Sequence, residues 1–259
     1  MNSEGLFRGK VAIVTGGSSG IGQATCIALA NMQFQIVVVG TNHQGIDRTL
    51  NYLNQFPSNR PHQGLALNVA HEADMQIMVE KTLEKFGRID LLIASAGLGK
   101  KSGSERIIPP SSAVLPLDEW NEILNVNLTG VFLSNRAVLP TMISQGSGQI
   151  INISSATSIH GLRGQPYAPA YCASKFGVVG FSQSLAEEVS TYGIRVQVLL
   201  PGLVTTSLVP VNAFSRRFGG HSISVASLAD AIVGLVKQPI NAVTVDPCLL
   251  PFRDSKPMT

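Results

Sequence analysis

Charge is scarce in this sequence. Only 14% of its 259 residues are Asp, Glu, Lys or Arg, 44% are apolar, and the formal net charge is +3. No run of basic residues exceeds a pair. That excludes a surface dedicated to nucleic acid or anionic lipid, which needs dense Lys and Arg. It also leaves much of the surface to apolar and amide groups, or to a contact with another subunit. Cysteine is scarce too: Cys26, Cys172 and Cys248 lie far apart, with no Cys-x-x-Cys spacing, so they read as reduced thiols and not as a disulfide framework. His43, His62, His71, His160 and His221 form no ligand pair, and no metal site is expected. No apolar run approaches the roughly 18 residues of a membrane span. The opening "MNSEGLFRGK" has no apolar signal-peptide core. A soluble, cytoplasmic protein is expected.

What the sequence does have is alternation. Apolar runs at 10–15, 35–40, 64–69, 89–97, 148–155, 194–202 and 242–246 read as strands. Helical patterns at 20–32, 43–56 and 72–86 separate the first four. Most of the strands are apolar on both faces, as in a parallel sheet covered on both sides. The expected fold is therefore α/β: one doubly wound, Rossmann-like parallel sheet in a single domain over 1–259. Two long loops, 98–116 and 203–224, follow the fourth and sixth strands and are placed to shape a substrate pocket.

Between the first strand and the first helix stands "TGGSSGIG", Thr15 to Gly22, with Gly16, Gly20 and Gly22 spaced G-x-x-x-G-x-G. Glycine permits unusual backbone angles and lets a phosphate approach the chain. The helix that follows offers unpaired N–H groups and a positive dipole end. In this context the motif reads as a dinucleotide-binding turn. An NAD site usually carries an acid about 20 residues further on, bonded to the ribose 2′-hydroxyl. Here the tip of the second strand reads "VVVGTNHQG", without Asp or Glu. Thr41, Asn42 and His43 stand there instead and can accommodate a 2′-phosphate, so NADP(H) is favoured over NAD(H).

"AYCASKFG" places Tyr171 four residues before Lys175, one helical turn apart on one face. By itself this is either an acid–base pair or two polar residues on a solvated face. The wider set of motifs decides between them. "TGGSSGIG", "NV" (68–69), "ASAG" (94–97), "NVNLTG" (125–130), "INISS" (151–155), "YCASK" (171–175) and "PGLVTT" (201–206) occur in this order over nearly the whole chain. In that order they resemble the short-chain dehydrogenase/reductase family.

The resemblance implies hydride transfer between a nicotinamide and a carbonyl or alcohol substrate. It implies catalytic roles for Asn127, Ser155, Tyr171 and Lys175. Tyr171 is the proton donor to the carbonyl oxygen, or the base in reverse. Lys175 favours the phenolate and holds the nicotinamide ribose. A serine bonds the substrate oxygen, and Asn127 holds a water that links Lys175 to solvent. It also implies cofactor contacts from Gly16, Ser18, Ser19, Gly20, Ile21, Gly22, Thr41, Asn68, Val69, Ala96, Gly97, Pro201, Gly202, Val204 and Thr206, besides Tyr171 and Lys175. The family's usual count of 13 residues back from the tyrosine lands on Ser158, whereas the strand motif "NISS" gives Ser155. We take Ser155, because a strand end fixes side-chain direction while the following loop absorbs extra residues cheaply. Ser158 stays as the alternative. Tyr167 is set aside, since four residues on from it is Tyr171 and no lysine.

Departures from the family pattern are visible. Ala94 and Ser95 replace two frequent asparagines, Asn68 stands where an adenine-contacting acid is usual, and the C-terminus reads "VDPCLLPF" without the frequent "DGG". The last argues against the fatty-acid ketoreductase branch. Lys100, Lys101 and Arg106 in one loop, and Arg216 with Arg217 in the other, either meet an anionic substrate or form a solvated basic surface. His160 reads as a polar surface group. A homotetramer or homodimer is implied, packed partly through the helices carrying Asn127 and Tyr171. The rival readings are an epimerase or dehydratase on the same scaffold, and a dinucleotide-binding regulator without turnover.

Overall fold

Strand β1 (Val11–Thr15) is buried at every position, so it needs cover on both faces and belongs in the middle of a sheet. The structure, a computed structural model, describes residues 7–58, 60–106, 110–156, 166–206, 222–239 and 242–250. Along the chain β1 is followed by α1 (Gly20–Asn31), β2 (Gln35–Gly40), α2 (His43–Leu53), β3 (Gln63–Ala66), α3 (Glu72–Phe86) and β4 (Leu91–Ala94). Then come α4 (Leu117–Leu124), a π-helical turn (Asn125–Thr129), α5 (Gly130–Gln145), β5 (Gly148–Ile153), α6 (Pro169–Val189), β6 (Ile194–Pro201), α7 (Val225–Val236) and β7 (Cys248–Leu249).

The described strands form one seven-stranded sheet in the order β3-β2-β1-β4-β5-β6-β7, all pairs parallel. This is the doubly wound sheet expected from the sequence. Alternate side chains serve two cores. Ala12, Val14, Ile36, Val38 and Ile151 meet Leu29 of α1 and Leu228 and Ile232 of α7. Val11, Ile13, Val37, Val39 and Ile150 meet Met75 and Met78 of α3, Val138 and Met142 of α5, and Leu185 of α6. Among the described residues no helix is long and apolar enough to cross a membrane.

Chain order reverses at β1, between β2 and β4 on its two sides, with Thr15 beside Ala94. Helices leave to opposite faces there, and a crevice opens past the strand ends. Two fully buried asparagines hold the next strand in place. Asn135 of α5 and Asn152 of β5 donate to each other's side-chain oxygens at 2.9 and 3.1 Å. Asn152 also donates to Ser182 of α6 at 2.9 Å, and Asn135 to the Val131 carbonyl at 2.8 Å. Each buried amide has a partner, so the pair avoids the penalty of burying unbonded polar groups. It fixes two helices to β5 just before Ser154 and Ser155.

One expected strand is displaced. The run 242–246 is not a strand, and the last strand among the described residues is Cys248–Leu249. Arg195 of β6 donates to the Ala242 carbonyl at 3.0 Å and to the Pro239 carbonyl at 2.8 Å. These side-chain bonds hold the segment apart from the sheet, and Val243 and Val245 are exposed. Pairing begins only where Leu200 N–H reaches the Pro247 carbonyl at 2.9 Å. The other strands and α2 keep their places with trimmed ends; α2 stops at Leu53, and β3 covers Gln63–Ala66.

Candidate active site

The glycine turn is shaped by close approaches. Gly16 has φ +70°, and a Cβ on it would lie 2.8 Å from the Ala96 backbone. A Cβ on Gly22 would lie 2.3 Å from the Gly16 carbonyl oxygen. No other residue fits either place. The turn and the end of β4 thus lie side by side, with Thr15 Oγ1 accepting the Ser95 N–H at 3.2 Å. Over them runs a groove of about 670 Å³.

Twelve of the expected cofactor residues line this groove: Gly16, Ser18, Ser19, Gly20, Ile21, Gly22, Thr41, Asn68, Val69, Ala96, Gly97 and Thr206. Tyr171, Lys175, Pro201, Gly202 and Val204 do not. Pro201 is buried at the end of β6, the Gly202 N–H donates to the Leu249 carbonyl at 2.7 Å, and Val204 packs in the core, bridged to Ile223. Asn68 keeps its side-chain oxygen on the Ala70 N–H at 3.0 Å. Asn42, offered for a 2′-phosphate, turns its oxygen onto the Gly45 N–H at 2.9 Å and caps α2. Thr41 and His43 stay exposed beside that helix end.

The outer wall was not foreseen. Asp118, Asn121, Glu122 and Asn125 line it from α4 and the π turn. Their helical spacing marks one polar face of 117–125, a signal present in the sequence but silent about what that face meets. Facing it is Ser102, in a stretch of the long loop that is tied to α4. Lys101 pairs with Asp118, and Arg106 pairs with buried Glu119 at 3.3 Å. Lys100 donates to the Arg106 carbonyl at 3.1 Å. These three basic residues are therefore engaged by the protein itself. Arg216, Arg217, His160 and Ser158 lie outside the described residues.

Beside Gly97, a lining residue of the groove, lies the chemistry-bearing cluster. A Cβ on Gly97 would lie 3.3 Å from Asn127 Oδ1 and 3.7 Å from Lys175 Nζ. Helix α6 opens with Pro169 in its first turn, where the missing N–H does no harm. It carries Tyr171 and Lys175 on successive turns. The Tyr171 and Ser155 hydroxyls are hydrogen-bonded. Burial pushes the Tyr171 phenol above its usual range, the Ser155 bond opposes that, and Cys172 beside it adds to it. The phenol therefore rests neutral, a proton donor, and burial outweighs any pull from Lys175 towards the phenolate. Lys175 is 6% exposed. Its Nζ donates to the Ile153 carbonyl at 2.9 Å, and burial lowers its pKa to about 8.

Asn127 is fully buried in the π turn, an element found often at functional sites. Its Oδ1 accepts the Leu98 N–H at 2.6 Å. Its Nδ2 donates to the Leu98 carbonyl at 2.9 Å and to Ser174 Oγ at 3.1 Å. Ser174 in turn donates to the Tyr171 carbonyl at 2.7 Å. Both amide hydrogens are thus engaged, and the side chain ties the end of β4 to the turn of α6 that bears Tyr171.

A family model described as short chain dehydrogenase matches residues 10–214. The 3-oxoacyl-acyl-carrier-protein reductase FabG of Escherichia coli is 34% identical over 213 residues, 82% of this chain and 81% of the relative. The D-threitol dehydrogenase of Mycolicibacterium smegmatis is 38% identical over 200 residues, 77% of this chain and 72% of its own. Among solved structures, a 3-ketoacyl-acyl-carrier-protein reductase from Brucella melitensis complexed with NADH superposes with a TM-score of 0.83 at 28% identity, covering 94% of this chain and 98% of that one. A metagenomic short-chain oxidoreductase in complex with NADP gives 0.78 at 26%, covering 96% and 99%. The resemblance carried by seven short motifs thus extends to the whole fold, and the chain belongs to the short-chain dehydrogenase/reductase family of NAD(P)-dependent oxidoreductases.

Proposed function

We propose that this protein is an NADP(H)-preferring carbonyl reductase or alcohol dehydrogenase, working as one catalytic unit along the chain. The observation that carries the reading is the Ser155–Tyr171–Lys175 cluster, with Lys175 Nζ 5.8 Å from the Tyr171 ring centre and 3.7 Å from where a Cβ on Gly97, a lining residue of the groove, would lie. The cradle fits a dinucleotide, because the bare Gly16 and Gly22 let the turn fold tightly on itself and on Ala96, so that Gly20, Ile21 and Gly22 at the start of α1 line the groove. When bound, the dinucleotide supplies or accepts the hydride. The glycine turn and the start of α1 hold its phosphates. Ser155 bonds the substrate oxygen, Tyr171 moves the proton to or from it, and Lys175 charges the site and holds the ribose. The Asn127 side chain is engaged by Leu98 and Ser174, so any water that Asn127 holds meets its main chain.

Support for the 2′-phosphate comes from α2. Its first turn has no acid, and its N-terminal dipole points at the tip of β2. A homotetramer or homodimer in the cytoplasm completes the reading. Its support is the exposure of Phe132 on α5 and Phe176 on α6, at 39% and 46%.

The test is a panel of ketones and aldehydes followed by loss of NADPH absorbance, with Tyr171→Phe alongside. Turnover of at least one carbonyl by the parent is expected, with NADPH bound more tightly than NADH. Tyr171→Phe should keep cofactor affinity and lose about 100-fold or more in rate, as when a proton donor is removed. A folded Tyr171→Phe protein turning over like the parent would remove the tyrosine from the mechanism.

A further inference from the structure

A buried threonine on α2 has a second task. Thr49 is 0% exposed. Its Oγ1 lies 3.0 Å from the Gly45 carbonyl one turn back, a bond that any helical threonine can make. It lies equally close, 3.0 Å, to the carbonyl of Gly17, which is in the glycine turn and outside the helix. Gln23, one residue past Gly22, donates its Nε2 to the same Oγ1 at 2.8 Å. Gln23 therefore occupies a lone pair of the hydroxyl and leaves its one hydrogen for a carbonyl. The helix can come this close because residue 45 has no side chain: a Cβ there would lie 2.6 Å from the Ser18 carbonyl oxygen.

The peptide plane supplies the consequence. In a trans peptide the carbonyl of one residue and the N–H of the next point in opposite directions. A Gly17 carbonyl drawn towards α2 sends the Ser18 N–H the other way, and Ser18 lines the groove. We propose that Thr49 is a positioning residue for the dinucleotide's pyrophosphate, holding the Gly17 carbonyl back so that the Ser18 N–H faces the anion. A carbonyl free to rotate into the groove would present a negative end to the phosphates instead. The inference rests on the groove being a dinucleotide site, and it adds a residue that the glycine motif does not contain.

The experiment compares the parent with Thr49→Val and Thr49→Ser. NADPH is titrated by fluorescence, ADP and adenosine are competed against it, and the KM for NADPH, kcat and Tm are measured. Thr49→Val should raise the NADPH Kd about five- to tenfold, the size of one net hydrogen bond. ADP should weaken equally, and adenosine, which has no phosphate, should not. KM should rise while kcat at saturating NADPH holds within about twofold, and Thr49→Ser should restore parent affinity. Parent-like NADPH affinity in Thr49→Val overturns the inference. So does equal weakening of ADP and adenosine, which would mean that α2 has merely loosened. If Thr49→Val does not fold, Gln23→Leu gives the same test with a loss of about two- to threefold, and parity with the parent overturns the inference. A parent that binds neither NADPH nor ADP would fail at the underlying reading, before Thr49 is tested.

Discussion

Lys175 shows how function works against stability at a single residue. Burial lowers its pKa from 10.5 to about 8. Below pH 8 the folded state holds a charge it would shed if it could. Between pH 8 and 10.5 the folded form is neutral while the unfolded form is still protonated, so stability rises with pH there and is lost as pH falls towards 8. The penalty at pH 7 is on the order of 3 kcal/mol, against about 1 kcal/mol for the bond to the Ile153 carbonyl. Lys175→Met is therefore expected to be inactive yet more resistant to urea than the parent at pH 7, with the advantage shrinking by pH 9.5. A variant less stable than the parent at both pH values would contradict this ordering. Tyr171 and Lys175 were legible because one helical turn separates them in the sequence. What the sequence could not state is that burial sets both groups, raising one pKa and lowering the other, since burial is decided by partners far along the chain.

Among the elements, the β2–β3 edge carries a titration of its own. The Ile36 N–H at the start of β2 donates to His62 Nδ1 at 3.0 Å. That bond needs an unprotonated Nδ1. Burial lowers the His62 pKa, and nearby Lys85 lowers it further. The bond's contribution is thus present above about pH 6.5 and lost as pH falls through the lower folded value. Hydrogen exchange at the Ile36 amide, measured from pH 7.5 down to 5, should show protection relative to core amides falling over that window. In His62→Leu the protection should be low throughout and flat. A parent whose Ile36 protection does not change below pH 6.5 would contradict this account. Element identity was readable wherever local rules act alone: glycine at a close approach, apolar residues on both faces of a strand. It failed at 242–246, where alternation suggested a strand but the Arg195 guanidinium takes the Ala242 carbonyl and Gln197 the Thr244 carbonyl. It was mute on α4, because a polar helix face does not say what it lines. The core position of Val204 was unreadable for a related reason, since its partner Ile223 lies across a long loop.

On the scale of the molecule, the parallel sheet sets the location of everything else. Seven strands running one way collect their C-terminal ends on one side, so the glycine turn, the β4 turn and the serines after β5 meet there without being near in sequence. On a surface with so little charge, α5 and α6 carry exposed aromatic rings. Phe132 stacks edge-on against Phe181 with centroids 5.9 Å apart, and Phe176 stands clear on α6. If these helices pack copies together, Phe176→Glu places a charge in the contact and should shift the parent's sedimentation towards monomer while leaving its circular dichroism unchanged. An unchanged sedimentation coefficient would place any assembly elsewhere.

The grip of Asn127 on Leu98 bears on how such an enzyme diverges. Asn127 reads only the main-chain N–H and carbonyl of residue 98, and every amino acid except proline offers the same two groups. That residue, meanwhile, lines the groove. Selection can therefore exchange it for a larger, smaller or polar one without loosening the frame that holds β4 to α6. As far as this grip is concerned, position 98 is open to change, and descendants can explore new ligands there while inheriting the same catalytic geometry.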